Sequence, residues 1–206
     1  MTKKTEPDMS HFTNATIKSL IERRSIRKFR QEQITDEELD LILLAGSYAP
    51  CAGGRQSPVM VVLQEKKIIS KLGKINKQIF SRRSKTIKGM VSGEQPSIAD
   101  DDRIESAFYD APTVITIFAP EAHPYKTEDG CLVIGNMMLA AHSLGVGSCF
   151  IARASETFDT DEGRKILRDW NVGDDYVAIG YCILGYPDGN PPNAKPRKEF
   201  VVRRIG

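Results

Sequence analysis

The chain has 206 residues, 40% of them hydrophobic, and its 29 lysines and arginines against 27 acidic residues leave a formal net charge of +2. That composition suits one compact domain, or one protomer of an intimate dimer, and its balanced charge gives no footing for a nucleic-acid partner. No apolar run approaches membrane-spanning length, the polar first 13 residues lack a signal-peptide core, and Cys51, Cys131, Cys149 and Cys182 are scattered without a Cys-x-x-Cys pair, which reads as reduced thiols in a cytoplasmic protein.

Residues 1–13 read as a flexible N-terminus, and a helix is predicted from about Asn14 to Arg23, with Ile17, Leu20 and Ile21 at helical spacing. It runs into Arg23-Arg24-Ser25-Ile26-Arg27-Lys28-Phe29, where four cations and a hydroxyl are interleaved with apolar Ile26 and Phe29. Two readings stand open. Cations favour the last turn of a helix, which makes the stretch a solvated helix end. Arginine and serine also suit fixed hydrogen bonds to phosphate, which makes it an anion ligand.

Thr35-Asp36-Glu37-Glu38 matches a capping box and opens a second helix with Leu39, Ile42, Leu43 and Ala45 on one face, stopping near Gly46-Ser47. The loop Ala49-Pro50-Cys51-Ala52-Gly53-Gly54-Arg55-Gln56-Ser57-Pro58 follows, small in its side chains, and leads into a strand at Val59–Leu63. Small residues let backbone N–H groups approach a flat or anionic ligand, although an ordinary turn has the same composition. Residues 65–80 read as a helix burying Ile68, Ile69, Leu72, Ile75 and Ile79. Residues 81–102 pass from basic to acidic composition and read as a surface excursion of the kind that forms lids.

A strand is predicted at Val114–Phe118, then a central helix from about Thr127 to Leu144, apolar on most of its circumference. Met137 and Met138 in it are core residues, and His142 is a hydrogen-bonded polar member of that packing. The segment Leu144–Arg153 ends the helix at glycine and turns into a short strand, followed by a helix at Asp161–Trp170 and a strand at Tyr176–Leu184. The tail from Pro187 to Gly206, with Lys195-Pro196-Arg197-Lys198, reads as an extended arm. Without repeats, linkers, a regular βαβ cadence or a dinucleotide-binding glycine fingerprint, residues 14–206 read as one α+β domain. The histidines His11, His123 and His142 lack metal-ligand spacing.

Four motifs stand in a particular order: Arg-Arg-Ser-x-Arg-x-Phe, then Ala-Pro-Cys-Ala-Gly-x-x-Gln, then Gly-x-Gly-Ser-Cys-Phe-Ile, and finally Gly-Tyr-Pro followed by Lys-x-Arg. From about Thr16 to Phe200 this order resembles the nitroreductase family of FMN-dependent NAD(P)H oxidoreductases. The resemblance implies an α+β sandwich with a central mixed sheet, in an intertwined homodimer with FMN at the interface. It implies that Arg23, Arg24 and Ser25 hold the phosphate and ribityl end, and that Lys195 and Arg197 complete the phosphate site. Arg27 resembles the cation on the pyrimidine side of the flavin. Pro50, Cys51 and Ala52 resemble the loop that approaches from the partner subunit, and Phe150, Ile151 and Ala152 the backbone along the ring near N5. Asn76 resembles an asparagine contacting the ring in some members. The chain departs from the pattern at Gly54, where many members carry asparagine, and at Ser57-Pro58, where they carry Pro-Trp.

The chemistry of the residues agrees. An FMN phosphate needs several charge-assisted hydrogen bonds to be buried, and a fixed cation favours the more negative, reduced flavin. The activity implied is transfer of hydride from NADH or NADPH through flavin N5 to a flat, small-molecule electrophile, a nitroaromatic or quinone, by a ping-pong mechanism that requires no base on the protein. Cys51 has no base near it in sequence and is read as a small loop residue. A non-catalytic FMN-binding protein for storage or sensing is the alternative.

Overall fold

Residues 113–119 are buried without a break, so the strand they form must be covered on both faces. The computed structural model, which describes residues 14–83, 95–195 and 203–205, supplies both covers. Four antiparallel strands, β1 (Val59–Leu63), β2 (Thr113–Pro120), β3 (Gly147–Ile151) and β4 (Tyr176–Gly185), are ordered β1-β2-β4-β3. Side-chain alternation divides β2 and β4 between two cores. Val114, Phe118, Tyr181 and Ile183 enter one, with Leu72, Phe108 and Phe158. Ile115, Ile117, Cys182 and Leu184 enter the other, with Ile42, Ile134 and Met137.

The helices among the described residues are α1 (Ala15–Glu22), α2 (Asp36–Ser47), α3 (Lys66–Arg83), α4 (Lys126–Ser143), α5 (Ala154–Phe158) and α6 (Asp161–Asp169). The second core lies beneath α2 and α4, and the first beneath α3 and α5. This is the α+β sandwich expected. The capping box opens α2 as predicted: Thr35 N–H donates to Glu38 Oε2 at 2.8 Å and Glu38 N–H to Thr35 Oγ1 at 3.2 Å. Tyr186, one residue beyond β4, adds a hydroxyl bond to the same carboxylate at 2.6 Å. The hydrogen bond from Tyr186 is the main reason the Glu38 carboxyl titrates below its ordinary range.

Three expectations need adjusting. The sheet is antiparallel throughout, not mixed. The central helix spans Lys126–Ser143 and buries Asp129, Gly130, Val133, Ile134, Met137 and Ala141, but Leu132 on its other side is 45% exposed. The short α5 was not anticipated, because five residues carry too little periodicity to register. Over 81–102, α3 continues to Arg83, and at the far end Ser97 and Ile98 are buried in the body of the protein, not projecting from it. Residues 84–94 lie outside the described residues, as do 1–13 and 196–202 of the predicted terminal arms.

One irregularity in the sheet couples it to α4. Between Ile117 and Phe118 the register shifts so that Ile179 of β4 has no partner on β2, and such a bulge bends its strand. Ile179 lies against Gly130, where an added Cβ would sit 2.7 Å from Ile179 Cγ2 and 2.9 Å from its Cβ. The clash is with the rigid base of a β-branched side chain. Gly130→Val is therefore expected to destabilise the protein by about 2–3 kcal/mol, more than any gain in helix propensity. The shift in midpoint on chemical denaturation measures it.

Candidate functional site

β3 is an edge strand, and the basic stretch is fastened to it. Ser25 forms a parallel bridge with Ser148, Ile26 N–H donates to Ser148 O at 2.9 Å, and Phe29 bridges Pro187 in the antiparallel sense. Ile26 and Phe29 are buried as apolar pins, with Arg27 half-buried between them and Ser25 half-buried just before them. Close approach requires a glycine opposite: a Cβ on Gly147 would lie 3.1 Å from Ile26 Cβ and from Gly185 O.

Both readings of the stretch find a place in it. Arg24 Nη1 donates to Ile21 O at 2.7 Å, to Glu22 O at 2.9 Å and to Arg23 O at 2.9 Å, which makes it the closing group of α1. Yet Arg24 Nε, Arg23 Nη1 and Ser148 Oγ are buried with no hydrogen-bond partner among the described residues. Buried donors left unmatched cost free energy. The three belong to the two segments that the Ser25–Ser148 bridge joins, and donors of this kind fit an anionic group.

Beneath the stretch, burial pushes the Cys149 thiol up, while Arg27, Ser25 and Arg23 pull against that. His142 of α4 is set among Glu22, Arg23 and Arg24. Burial lowers it, Glu22 opposes, and the two arginines add to the lowering. On the other side of the stretch, Arg27 N–H donates to Gln95 Oε1 at 2.7 Å, and the Arg27 guanidinium carbon lies 5.8 Å from the Tyr109 ring centroid.

Strand alternation places the next predicted segment. Since Ser148 turns its carbonyl toward Ile26, the N–H and C=O of Phe150 point to the same free edge. Ile151 is buried, Phe150 half-buried and Ala152 exposed. Asn76, predicted as a ring contact, is fully buried. Its amide donates to Ala152 O at 2.9 Å and Thr157 Oγ1 at 3.2 Å, and accepts from Arg153 Nη2 at 3.1 Å. It meets the site through Ala152 and Arg153. Arg153 has a left-handed backbone (φ 65°) and lies 4.9 Å from the centroid of Phe80.

The Pro50–Ala52 loop has its own anchor. Pro50 is exposed, Cys51 and Ala52 are half-buried, and Ala52 N–H donates to Asp129 Oδ1 at 2.9 Å. Asp129 Oδ2 meets Nε2 of buried His123 at 2.9 Å. A carboxylate can only accept, so that nitrogen carries the proton. Gly53 and Gly54 both hold positive φ, 66° and 65°, a left-handed backbone that glycine adopts without strain. This loop and the Arg23–Arg27 stretch are held separately within the chain. Lys195 is exposed, and Arg197 lies outside the described residues.

The sequence did not single out Gln95, Tyr109, His123, Asp129, Ser148 or Arg153 as site residues. Ser148 and Arg153 stood inside or beside a quoted motif, but the other four carried no local signal, since their roles come from partners distant in sequence.

An α+β sandwich that presents fixed cations and free backbone at a sheet edge defines a class of protein able to hold a ligand with an anionic end. The chain belongs to the nitroreductase family, whose model matches residues 20–186. It is similar in structure to the FMN-bound nitroreductase of Bacteroides fragilis, with a TM-score of 0.78 and 26% identity, covering 94% of this chain and 100% of that one. In sequence it is 23% identical over 184 residues to an iodotyrosine deiodinase of Thermotoga neapolitana, covering 88% of this chain and 92% of the relative. It is 26% identical over 174 residues to a putative NADH dehydrogenase/NAD(P)H nitroreductase of Archaeoglobus fulgidus, covering 83% and 84%.

The Asp129 anchor has a pH signature. Burial raises its carboxyl, but the hydrogen bonds from Ala52 and His123 outweigh that and leave it lowered. A depressed folded-state value contributes stability that is complete above the ordinary carboxylate range and is lost as pH falls through the folded value. Asp129→Asn should therefore be less stable than the parent near neutral pH, by about 1–3 kcal/mol, and the gap should narrow below about pH 4. Denaturation midpoints of the two proteins across that range check it.

Proposed function

We propose that the protein is an FMN-dependent oxidoreductase that takes reducing equivalents from NADH or NADPH and passes them to a flat electrophile, a nitroaromatic or quinone, in a ping-pong cycle. The observation that carries this reading is the trio of unmatched buried donors, Arg23 Nη1, Arg24 Nε and Ser148 Oγ, at the bridge between the basic stretch and β3. They suit the phosphate, with Ser25 beside them and with Lys195 and Arg197 of the tail as further cations. When bound, FMN supplies the hydride chemistry. The chain's residues bind it, orient it and exclude water. Phe150, Ile151 and Ala152 offer backbone along the edge, and Asn76 keeps that backbone in place through Ala152. Arg27 supplies a fixed positive charge that favours the form with more negative charge.

The working unit in this reading is a homodimer. Ile17, Leu20 and Ile21 of α1 are 39%, 49% and 38% exposed, Leu41 and Leu44 of α2 are 43% and 53% exposed, and Leu132 of α4 shares this character. Such patches mark interaction surfaces. They support a second copy that also brings the Pro50–Ala52 loop to the site of its neighbour. Among the described residues no helix is long and apolar enough to cross a membrane. The similarity to an iodotyrosine deiodinase adds halogenated phenols to the acceptors worth testing.

Purified protein should be yellow, release FMN on denaturation and elute as a dimer by light scattering. It should oxidise NADH or NADPH when given a quinone, a nitroaromatic or an iodotyrosine. Release of FAD, or failure to take up added FMN, overturns the cofactor assignment; bound FMN without turnover selects the storage or sensing alternative.

A second expectation tests Arg27. Replacing it by neutral glutamine removes a charge interaction of about 1–3 kcal/mol at an effective dielectric near 20. With roughly 30 mV per 1.4 kcal/mol for a two-electron couple, the reduction potential of bound FMN should fall by some tens of millivolts. Arg197→Ala should instead weaken FMN retention and leave the potential nearly unchanged, because the phosphate charge is constant through turnover. Redox titration at saturating FMN separates the two.

A further inference from the structure

The residues around the far side of Arg27 have no part in the reading above, yet three contacts converge there. Gln95 Oε1 accepts the Arg27 N–H at 2.7 Å. The Tyr109 ring lies under the Arg27 guanidinium, 5.8 Å from centroid to Cζ, within the range in which a ring face attracts a cation. The Tyr109 hydroxyl accepts the N–H of Ile98 at 3.3 Å, and Ile98 is itself sunk in the core, 7% exposed. Gln95 and Ile98 are three residues apart, so one short turn is fastened to both ends of the Arg27–Tyr109 contact.

The backbone at Tyr109 is unusual as well. Tyr109 and Asp110 both adopt left-handed conformations, with φ of 53° and 55°. Two successive non-glycine residues in that region cost free energy, and such strain persists only where surrounding structure enforces it. Here Tyr109 N–H donates to Ser106 O at 3.2 Å and Ala111 N–H to Phe108 O at 3.0 Å, immediately before Pro112 and β2. The turn carries the Tyr109 ring out to the Arg27 side while Phe108 beside it stays fully buried against Tyr181, at 4.7 Å between ring centroids. Burial raises the Tyr109 phenol above its ordinary value, with the Ile98 N–H and Arg27 opposing, so the ring stays neutral near pH 7.

We infer that Gln95 and Tyr109 form a clasp that sets the direction of the Arg27 guanidinium and thereby tunes the reduction potential of bound FMN without touching it. Gln95 fixes the main chain of Arg27, and the Tyr109 ring fixes its charged end. Both are positioning residues, and the inference rests on the reading of Arg27 and FMN given above.

The test compares Tyr109→Leu, Tyr109→Phe, Gln95→Leu and Arg27→Gln, each loaded with saturating FMN and titrated against a reference redox dye. FMN affinity and unfolding midpoint are measured in parallel. Tyr109→Leu should lower the equilibrium constant for reduction by roughly two- to fivefold, the size of an exposed cation–ring interaction. Tyr109→Phe keeps the ring and should stay close to the parent. Gln95→Leu should shift the constant in the same direction as Tyr109→Leu, and carries the test if the latter does not fold. In an Arg27→Gln background, Tyr109→Leu or Gln95→Leu should add no further shift, since the residue they orient is gone. A purely structural role would lower unfolding midpoints in both backgrounds and leave the potential alone, and that result overturns the clasp. A shift in Arg27→Gln with none in Tyr109→Leu or Gln95→Leu overturns the clasp and leaves the role of Arg27 standing. No shift in Arg27→Gln overturns both, and a protein that takes up no FMN overturns the functional reading beneath them.

Discussion

The backbone hydrogen bond from Ile26 N–H to Ser148 O fastens the basic run to an edge strand. An edge strand exposes a row of unpaired amides and carbonyls. Here a few residues of the N-terminal segment cover part of that row and leave the next part, at Phe150, open. With Ile26 and Phe29 buried on either side, the half-buried Arg27 between them loses much of its freedom. Flexible lysines and arginines on a surface pay side-chain entropy to bind anything, and Arg27 has paid part of it already during folding.

That arrangement sets folding against function in one place. Stability alone would hydrogen-bond every buried donor or leave it in water, whereas Arg23, Arg24 and Ser148 each keep one buried donor without a partner among the described residues. The rest of the molecule is well suited to tolerate this. Two apolar cores grip the sheet from both faces. Asn76 spends its entire amide on the chain that follows β3. The Pro50–Ala52 loop is held by a different pair, His123 and Asp129, so its order does not draw on the same contacts.

The parts legible in the sequence are those with local rules. Thr35 and Glu38 announced a helix start that the structure realises atom by atom, and the apolar runs at 59–63, 114–118 and 176–184 became strands. The family motifs named the basic stretch and Phe150–Ala152 separately, and the Ser25–Ser148 bridge sets the first beside the strand that carries the second. What stayed hidden depends on pairs distant along the chain. Nothing in the neighbourhood of Gln95 or Tyr109 reveals that residues 68 and 82 positions earlier meet them at Arg27. The bulge at Ile179 likewise follows from how β4 must bend to face Gly130, a matter of fit between elements. The left-handed backbone at Tyr109 and Arg153 is a tertiary outcome, since neither residue type prefers it.

The shortness of α1 has a thermodynamic consequence. Eight residues are too few for a helix to persist alone in water, and α1 buries none of its own side chains in the chain that carries it. Its last turn is nonetheless where Arg23 and Arg24 begin. Whatever covers Ile17, Leu20 and Ile21 therefore also orders the cations. In the proposed dimer this makes subunit association and anion binding two linked equilibria, each strengthening the other by the same factor. Cofactor affinity would then rise with protein concentration, and losing the cofactor would loosen the assembly, through this one short helix as well as through the loop that the second copy brings to the site.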